Sequence, residues 1–227
     1  MNAADQPLAS RLYHHFLNVI RHFDGVASLL LRLILAPVLI AAGWEKLTGE
    51  NWFQFQLDSF PFPFNVLPPD FSWFLASWTE FLGGICILFG IGTRLWALPL
   101  AVTMFVAAWS VHLPNGWPAI APSKPPAVCI EGSAENTAST VFERYVKCYN
   151  VNARTVEASK RLERAKGILR EHGNWNYLNG NGSLVKLNNG IEFAAMYFAM
   201  LLALLMIGGG RYLSLDYYLG LWLNRER

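Results

Sequence analysis

The sequence predicts an all-α membrane protein: a four-transmembrane-helix bundle with a long periplasmic insert between helices 3 and 4. Three observations carry that prediction. Four apolar stretches occupy residues 26–47, 71–91, 94–113 and 191–207. Hydrophobic residues make up 53% of the chain and charged ones only 15%, too few charges to coat a water-soluble surface. Between the third and fourth stretches lie residues 114–190, too long a segment for a plain connection, so it requires structure of its own. The whole chain, 1–227, reads as a single membrane domain.

The first stretch, VASLLLRLILAPVLIAAGWEKL, is long enough to cross, because ~20 residues at ~1.5 Å rise each cover a hydrocarbon core of about 30 Å. It carries Arg32 and is interrupted by Pro37, which frees the carbonyl of Leu33. The second, FSWFLASWTEFLGGICILFGI, carries Glu80 beside Gly83 and Gly84, whose missing side chains permit close helix approach. The third, RLWALPLAVTMFVAAWSVHL, contains Pro99 and ends at His112. The fourth, IEFAAMYFAMLLALLMI, is near the short limit and opens with Glu192. Aromatic residues such as Trp44, Trp52, Trp73 and Trp222 fall at or beyond the ends, where amphipathic rings favour the headgroup region.

Arginine placement orients the bundle. Arg11, Arg21, Arg94, Arg211, Arg225 and Arg227 flank one side, whereas the connection 48–70 has three acidic residues and no Lys or Arg. The positive-inside rule then sets both termini in the cytoplasm. The insert's ten Lys or Arg against six acids do not reverse this, since long loops translocate largely regardless of charge. The segment before residue 26 has no apolar run ending in a small-residue cleavage site, so the first span is expected to act as its own targeting signal. The expected location is the bacterial inner membrane, multi-pass, with the lipid bilayer as the first partner.

Ionisable residues at membrane depth are expensive and mark functional candidates. Glu80 follows Phe71 by nine residues, ~14 Å along its helix, and must be protonated, paired or facing a polar cavity. Arg32 sits ~9 Å into the first span, and an Arg32–Glu80 pair is the expected partnership. Such a pair either fixes helix packing or belongs to a proton path or polar pocket, and these two are the catalytic candidates. Glu45 and Lys46 at the end of the first span, His112, Asn115 and Trp117 after the third, and Glu192 at the start of the fourth form a second expectation. With this topology their helix ends lie at one depth and converge on a polar outer pocket.

The insert opens with a proline-rich stretch, PNGWPAIAPSKPPAVC, expected to be extended. Residues 152–171 have apolar positions at helical spacing and many charges elsewhere, which predicts a surface helix. NGNGS at 179–183 is a turn leading to a short apolar return, LVKL. Cys129 and Cys148 suit a structural disulfide in an oxidising compartment, with a redox or copper(I) thiolate pair as the alternative. Cys86, inside the second span, is expected to be a small buried apolar residue. No nucleotide fingerprint, CxxC, CxxCH or HExxH occurs, so no metal site is assigned and no flavin or haem named. A net charge of +2 spread over both membrane sides gives no footprint for nucleic acid.

GWEKL closing the first span, TEFLGGICILFGIGTR in the second and NNGIEFAAMYFAMLLALLMIGGGRYLSLD around the fourth resemble the DoxX family of four-helix membrane proteins. VHLPNGW and RLERAKGILREHGNWNYL resemble its HvfX-type branch, associated with operons for copper-binding, ribosomally made and modified peptides. The resemblance implies an accessory protein in maturation, export or handling of such a Cys-rich peptide, with the peptide and its maturation enzymes as partners. Other DoxX relatives are subunits of thiosulfate:quinone oxidoreductase, which implies the alternative of a quinone-linked oxidoreductase subunit with quinone as cofactor. Arg32, Glu80, His112 and Glu192 match polar positions of the family pattern. Whether the chain is an enzyme, and whether it self-associates as a homo-oligomer, stay open at this point.

Overall fold

The computed structural model describes residues 8–21, 23, 25–124, 127–129, 141–142, 148 and 151–225, and the described residues are helical with no named strand. Arg227, counted above for orientation, lies outside them, as does most of the stretch between the two outer cysteines. Residues 1–51, 68–103 and 198–227 form one compact unit, and residues 52–67 and 104–197 a second.

The first unit is built on α1 (Leu8–Arg21), α2 (Val26–Thr48), α3 (Pro69–Phe89) and the start of α4 (Thr93–Ala107). α2 and α3 are long and apolar enough to cross a membrane, and α4 qualifies when its closing turns through Asn115 are included. Pro68 and Pro69 start α3 where a missing amide costs nothing, and Gly90, at φ +62, ends it by returning its N–H to Cys86 and Ile87 carbonyls. Pro37 is accommodated within a continuous α2.

The packing is inverted relative to a water-soluble bundle. α2 buries Ser28, Arg32, Leu35, Ala36, Leu39 and Gly43, a stripe at helical spacing, while Leu30, Leu33, Ile34 and Val38 stay outward. On α3 the buried face holds Ser72, Ser77, Thr79, Glu80, Gly83, Gly84 and Ile87, with Phe71, Phe74 and Leu82 outward. Small and polar residues at the contact and large apolar ones outside are what lipid demands, because bilayer tails cannot drive apolar burial. Backbone approach is closest at Gly43: a Cβ there would lie 2.4 Å from the Phe81 nitrogen.

Tight turns close this unit. The Asp216 carboxylate accepts from the Gly92 and Thr93 amides at 2.6 and 2.8 Å, capping the orphan donors of α4 and meeting its positive end. Ser28 donates to the Gly208 carbonyl at 2.6 Å, in a loop where Gly208 and Gly210 both have positive φ. α8 (Leu215–Arg225) follows, after α5 to α7 described below.

In the second unit the end of α4 loosens into a π turn, Ala108–His112, and a 3-10 turn, Leu113–Asn115. α5 (Ala153–His172) is the expected surface helix, capped by Asn152, whose side chain accepts from the Thr155 amide. α6 (Trp175–Leu178) and the turn at 179–183 lead to the return segment, where Ile120 and Leu187 form an antiparallel bridge. The proline-rich stretch is thus held at 119–121 through Ala121 N–H to Lys186 and Asn188 N–H to Ala119.

α7 (Glu192–Ile207) has 16 residues. At ~1.5 Å each that is about 24 Å, short of the ~30 Å of a typical hydrocarbon core. Among the described residues three helices meet the length of a crossing; the fourth expected stretch, 191–207, forms α7 but stays at the short limit, and the residues before it hydrogen-bond to the turn at 116–119 instead of extending the helix. α1 and α8 have no counterpart among the sequence expectations, since both are too short to carry a spanning apolar run.

Gly43→Ala is expected to lower stability by about 1–3 kcal/mol, since the backbone of Phe81 must shift. Gly167→Ala, with nothing within 4 Å, is expected to be neutral or stabilising by up to about 1 kcal/mol from helix propensity. Thermal unfolding of the two variants in one detergent checks the contrast.

Candidate functional site

The sequence pairs Arg32 with Glu80, and the structure separates them. Arg32 is fully buried and donates to three backbone carbonyls: Leu88 at 3.1 Å, Leu213 at 2.9 Å, and Tyr212. These carbonyls lie in the last turn of α3 and the turn before α8, where helix ends leave acceptors unused. Asp216 lies near enough to act on the guanidinium electrostatically. Arg32 thus neither reaches toward a surface nor meets Glu80; it ties α2 to the segment 212–216.

Glu80 has a different cation. Lys46 Nζ donates to Glu80 Oε2 at 2.6 Å, the carboxylate side chain being 5% exposed and the lysine 20%. Glu80 points from the buried face of α3, and Lys46 comes from the last turn of α2, so the contact spans two helices whose close approach Gly43 and Gly84 allow. Lys46 also donates weakly to Ala42 at 3.5 Å. The pair is a buried, charge-assisted hydrogen bond inside a spanning helix pair. It can hold a proton between two groups or present a polarised N–H to a ligand. Neighbouring Glu45 is exposed, and Trp44 meets Phe81 in a tilted ring contact with centroids 5.8 Å apart.

The other expected pocket residues fall in the second unit and are drawn together there by backbone groups. His112 Nδ1 and Asn115 Nδ2 both meet the Asn189 carbonyl, at 3.0 and 3.1 Å, with Nδ1–H the donor in the histidine contact. Glu192 accepts from the Ala119 amide at 2.9 Å, while its own amide donates to the Trp117 carbonyl at 3.0 Å. Gly190 lies so close to the carbonyls of Gly116, Trp117 and Pro118 that a Cβ would come within 2.7 Å of all three. The motif NNGIE is therefore a clasp for the turn LPNGWPA. Asn188, although next to that motif, was not among the expected pocket residues, yet it donates to Asn115 and Pro118 carbonyls at 2.7 and 2.8 Å.

The start of α5 completes this junction with residues the sequence did not single out. Thr155 donates to the Asn115 carbonyl at 3.2 Å, Asn152 to Pro114 at 3.1 Å, and Arg154 to Asn115 Oδ1 at 3.2 Å. Ser159 donates to Pro122 at 2.7 Å. Their signal was present only as an Asn cap preceding a helix; the partners are about forty residues away in sequence. Beside the junction runs a groove lined by Arg154, Glu157, Arg161 and Lys186, with Asn115 and Asn188 at its floor. Arg161 is paired with Glu157 at 2.9 Å, which leaves the groove with a net cationic lining. Cys129 and Cys148 are joined as a disulfide, Cα to Cα 5.5 Å. Among the described residues no three His, Cys, Asp or Glu side chains assemble as metal ligands.

Breaking the intramembrane pair is expected to be costly. Glu80→Gln leaves the buried lysine without its counter-charge and is expected to lower stability by about 3 kcal/mol, whereas Glu80→Leu with Lys46→Met recovers most of that loss. Unfolding of the single and double variants in detergent gives the coupling. The disulfide is checked by mass: alkylation of Cys129 and Cys148 is expected only after reduction.

Comparison with known proteins agrees with the membrane architecture. Residues 27–113, which hold α2, α3 and α4, match the DoxX family. The chain is 41% identical over 94 residues to an uncharacterized protein of Haemophilus influenzae, covering 41% of this chain and 62% of that protein. It is 33% identical over 92 residues to the inner membrane protein YqjF of Escherichia coli, covering 40% of this chain and 66% of that protein. The chain spans less than two thirds of the length of either relative. No solved structure matches it.

Proposed function

We propose that this chain is a multi-pass accessory protein of the bacterial inner membrane, with both termini cytoplasmic, that handles a ribosomally made, Cys-rich, copper-binding peptide during its maturation or export. The inner-membrane part draws on the DoxX segment and on the relative named as an inner membrane protein. The peptide part draws on the resemblance of the 111–117 and 161–178 segments to the HvfX-type branch.

One observation carries the docking half of this reading: the insert is a built platform. α5 is anchored to the turn at 114–122 through Asn152, Arg154, Thr155 and Ser159, and the groove beside it offers Arg154, Arg161 and Lys186. A rigid cationic groove favours acidic side chains or a terminal carboxylate, and Arg can grip a carboxylate with two parallel hydrogen bonds. Asn152, Thr155 and Ser159 hydrogen-bond to backbone and so position the platform; Arg161 and Lys186, with Arg154 serving both as anchor and as groove cation, are the groups that would touch the peptide.

A second reading, a quinone-binding subunit, is favoured by the Lys46–Glu80 pair. A bound quinone would supply electron transfer; the chain's own part is that Lys46 can donate to a carbonyl oxygen and Glu80 can hold the proton exchanged there.

The mass and cellular location of the peptide, compared in cells with and without this chain, test the first reading. A changed mass, or an unchanged mass with a changed location, is the expected result. Arg154→Glu with Lys186→Glu is expected to cut co-purification of the peptide about tenfold, as two reversed charges at a contact cost at least ~1.4 kcal/mol. Unchanged mass and location together would sink the peptide reading. A quinone retained by purified chain and lost in Glu80→Gln would then establish the second.

A further inference from the structure

α1 has a face that the protein does not cover. Leu12, Phe16 and Val19 recur at four- and three-residue spacing, with Phe23 four further on, and they are 61%, 59%, 45% and 61% exposed. Leu12, Phe16 and Val19 make one stripe of the helix, presented outward by residues with every reason to avoid water, and Phe23 adds an exposed ring in the connector beyond it. By helical spacing in the sequence, Arg11, His14, Asn18 and Arg21 fall away from that stripe, and LASRLYHHFLNVIR contains no acid; Asp24 follows it in the sequence.

The tether decides what can lie against that stripe. Four residues, 22–25, separate the end of α1 from the start of α2, and a chain spans at most ~3.6 Å per residue. The end of α1 is therefore held within about 18 Å of the first residue of a spanning helix. Gly25 fixes the exit, since a Cβ there would lie 2.8 Å from the Tyr212 ring and 3.0 Å from the Arg211 amide. Gly25 also lines a cavity with Arg94 and Arg211, so the end of the unit at which α1 joins is itself cationic, while Asp216 there is occupied by the α4 amides.

We infer that α1 lies in the plane of the membrane interface, its Leu12–Phe16–Val19 stripe in the acyl boundary and its arginines on anionic phospholipid headgroups. Such a helix combines apolar burial with attraction to acidic lipid, and both parts are present in one fourteen-residue segment. It is an in-plane anchor for the first span, independent of any peptide or quinone.

Hydrogen exchange of the full chain in nanodiscs that hold a single copy tests it, in phosphatidylcholine alone and in phosphatidylcholine with one quarter phosphatidylglycerol. Amides of residues 8–21 are expected to be about tenfold more protected in the acidic discs. Phe16→Glu is expected to remove the protection in both, and Arg11→Gln with Arg21→Gln to remove only the difference between them. Amides of α2 serve as the internal measure of folding and are expected to stay unchanged throughout. Equal protection in the two lipids, indifference to Phe16→Glu, or protection that appears only in discs holding two copies would each overturn the proposal, the last by assigning the stripe to a second chain.

Discussion

A guanidinium with no access to water must find acceptors, and Arg32 dictates how the first unit is closed. Its burial at mid-helix would cost several kcal/mol if unpaired. The acceptors it takes are carbonyls of Leu88, Tyr212 and Leu213, all in segments that a regular helix ladder does not use. To supply them, α3 must stop at Gly90 and the chain beyond α7 must turn sharply through Gly208 and Gly210 before α8 begins. Ser28, one turn before Arg32, binds Gly208, and Asp216 spans from the Gly90 carbonyl to the α4 amides. A single buried cation thus sets the ends of three helices. Its role is positioning, because both terminal nitrogens are spent on backbone carbonyls, while Nε is buried without a hydrogen-bond partner among the described residues.

The spanning helices were legible because hydrophobic run length is a local property, and α2, α3 and α4 begin within two residues of the expected positions. The surface helix α5 was legible for the same reason, through its apolar spacing, whereas its Asn152 cap became visible only in the structure. Partnerships were not. Opposite charge on adjacent helices suggested Arg32 with Glu80, but along α2 the two cations Arg32 and Lys46 are fourteen residues apart, about 21 Å at helical rise. Gly43 lies against Phe81 and Gly84 against Leu39 and Ile40, a register that sets Glu80 level with the closing turns of α2, so Lys46 is the cation within its reach. The carbonyls that hold Arg32 have no sequence signature at all, since every residue carries one.

The polar residues at the helix ends divide by what their partners are. His112, Asn115, Asn188 and Glu192 are engaged with backbone groups of the turns at 111–119 and 188–190. A group spent on a main-chain carbonyl or amide satisfies the accounting of a turn and has little capacity left for a ligand. Glycine at 190 points the same way, since its absent Cβ serves contact with three carbonyls. In this structure NNGIE serves as a clasp for LPNGWPA, closing the short connection through backbone contacts.

Glu80 does not fit that explanation. Its partner among the described residues is a side chain, Lys46, whose ammonium has three donors and has its shorter contact with Glu80 and a longer one with Ala42. A leucine and a methionine would fill the same space in lipid at lower cost, because the desolvation of two charges is then avoided. Packing between α2 and α3 is already secured by Gly43 and Gly84. Neither close approach nor helix termination requires an ion pair at this position, whereas Arg32 is required by the turns it closes. Among the described buried charged groups of the first unit, Glu80 is the one whose partner is another charged side chain rather than the backbone, so the folding argument that accounts for the Arg32 carbonyl contacts does not extend to Lys46 and Glu80.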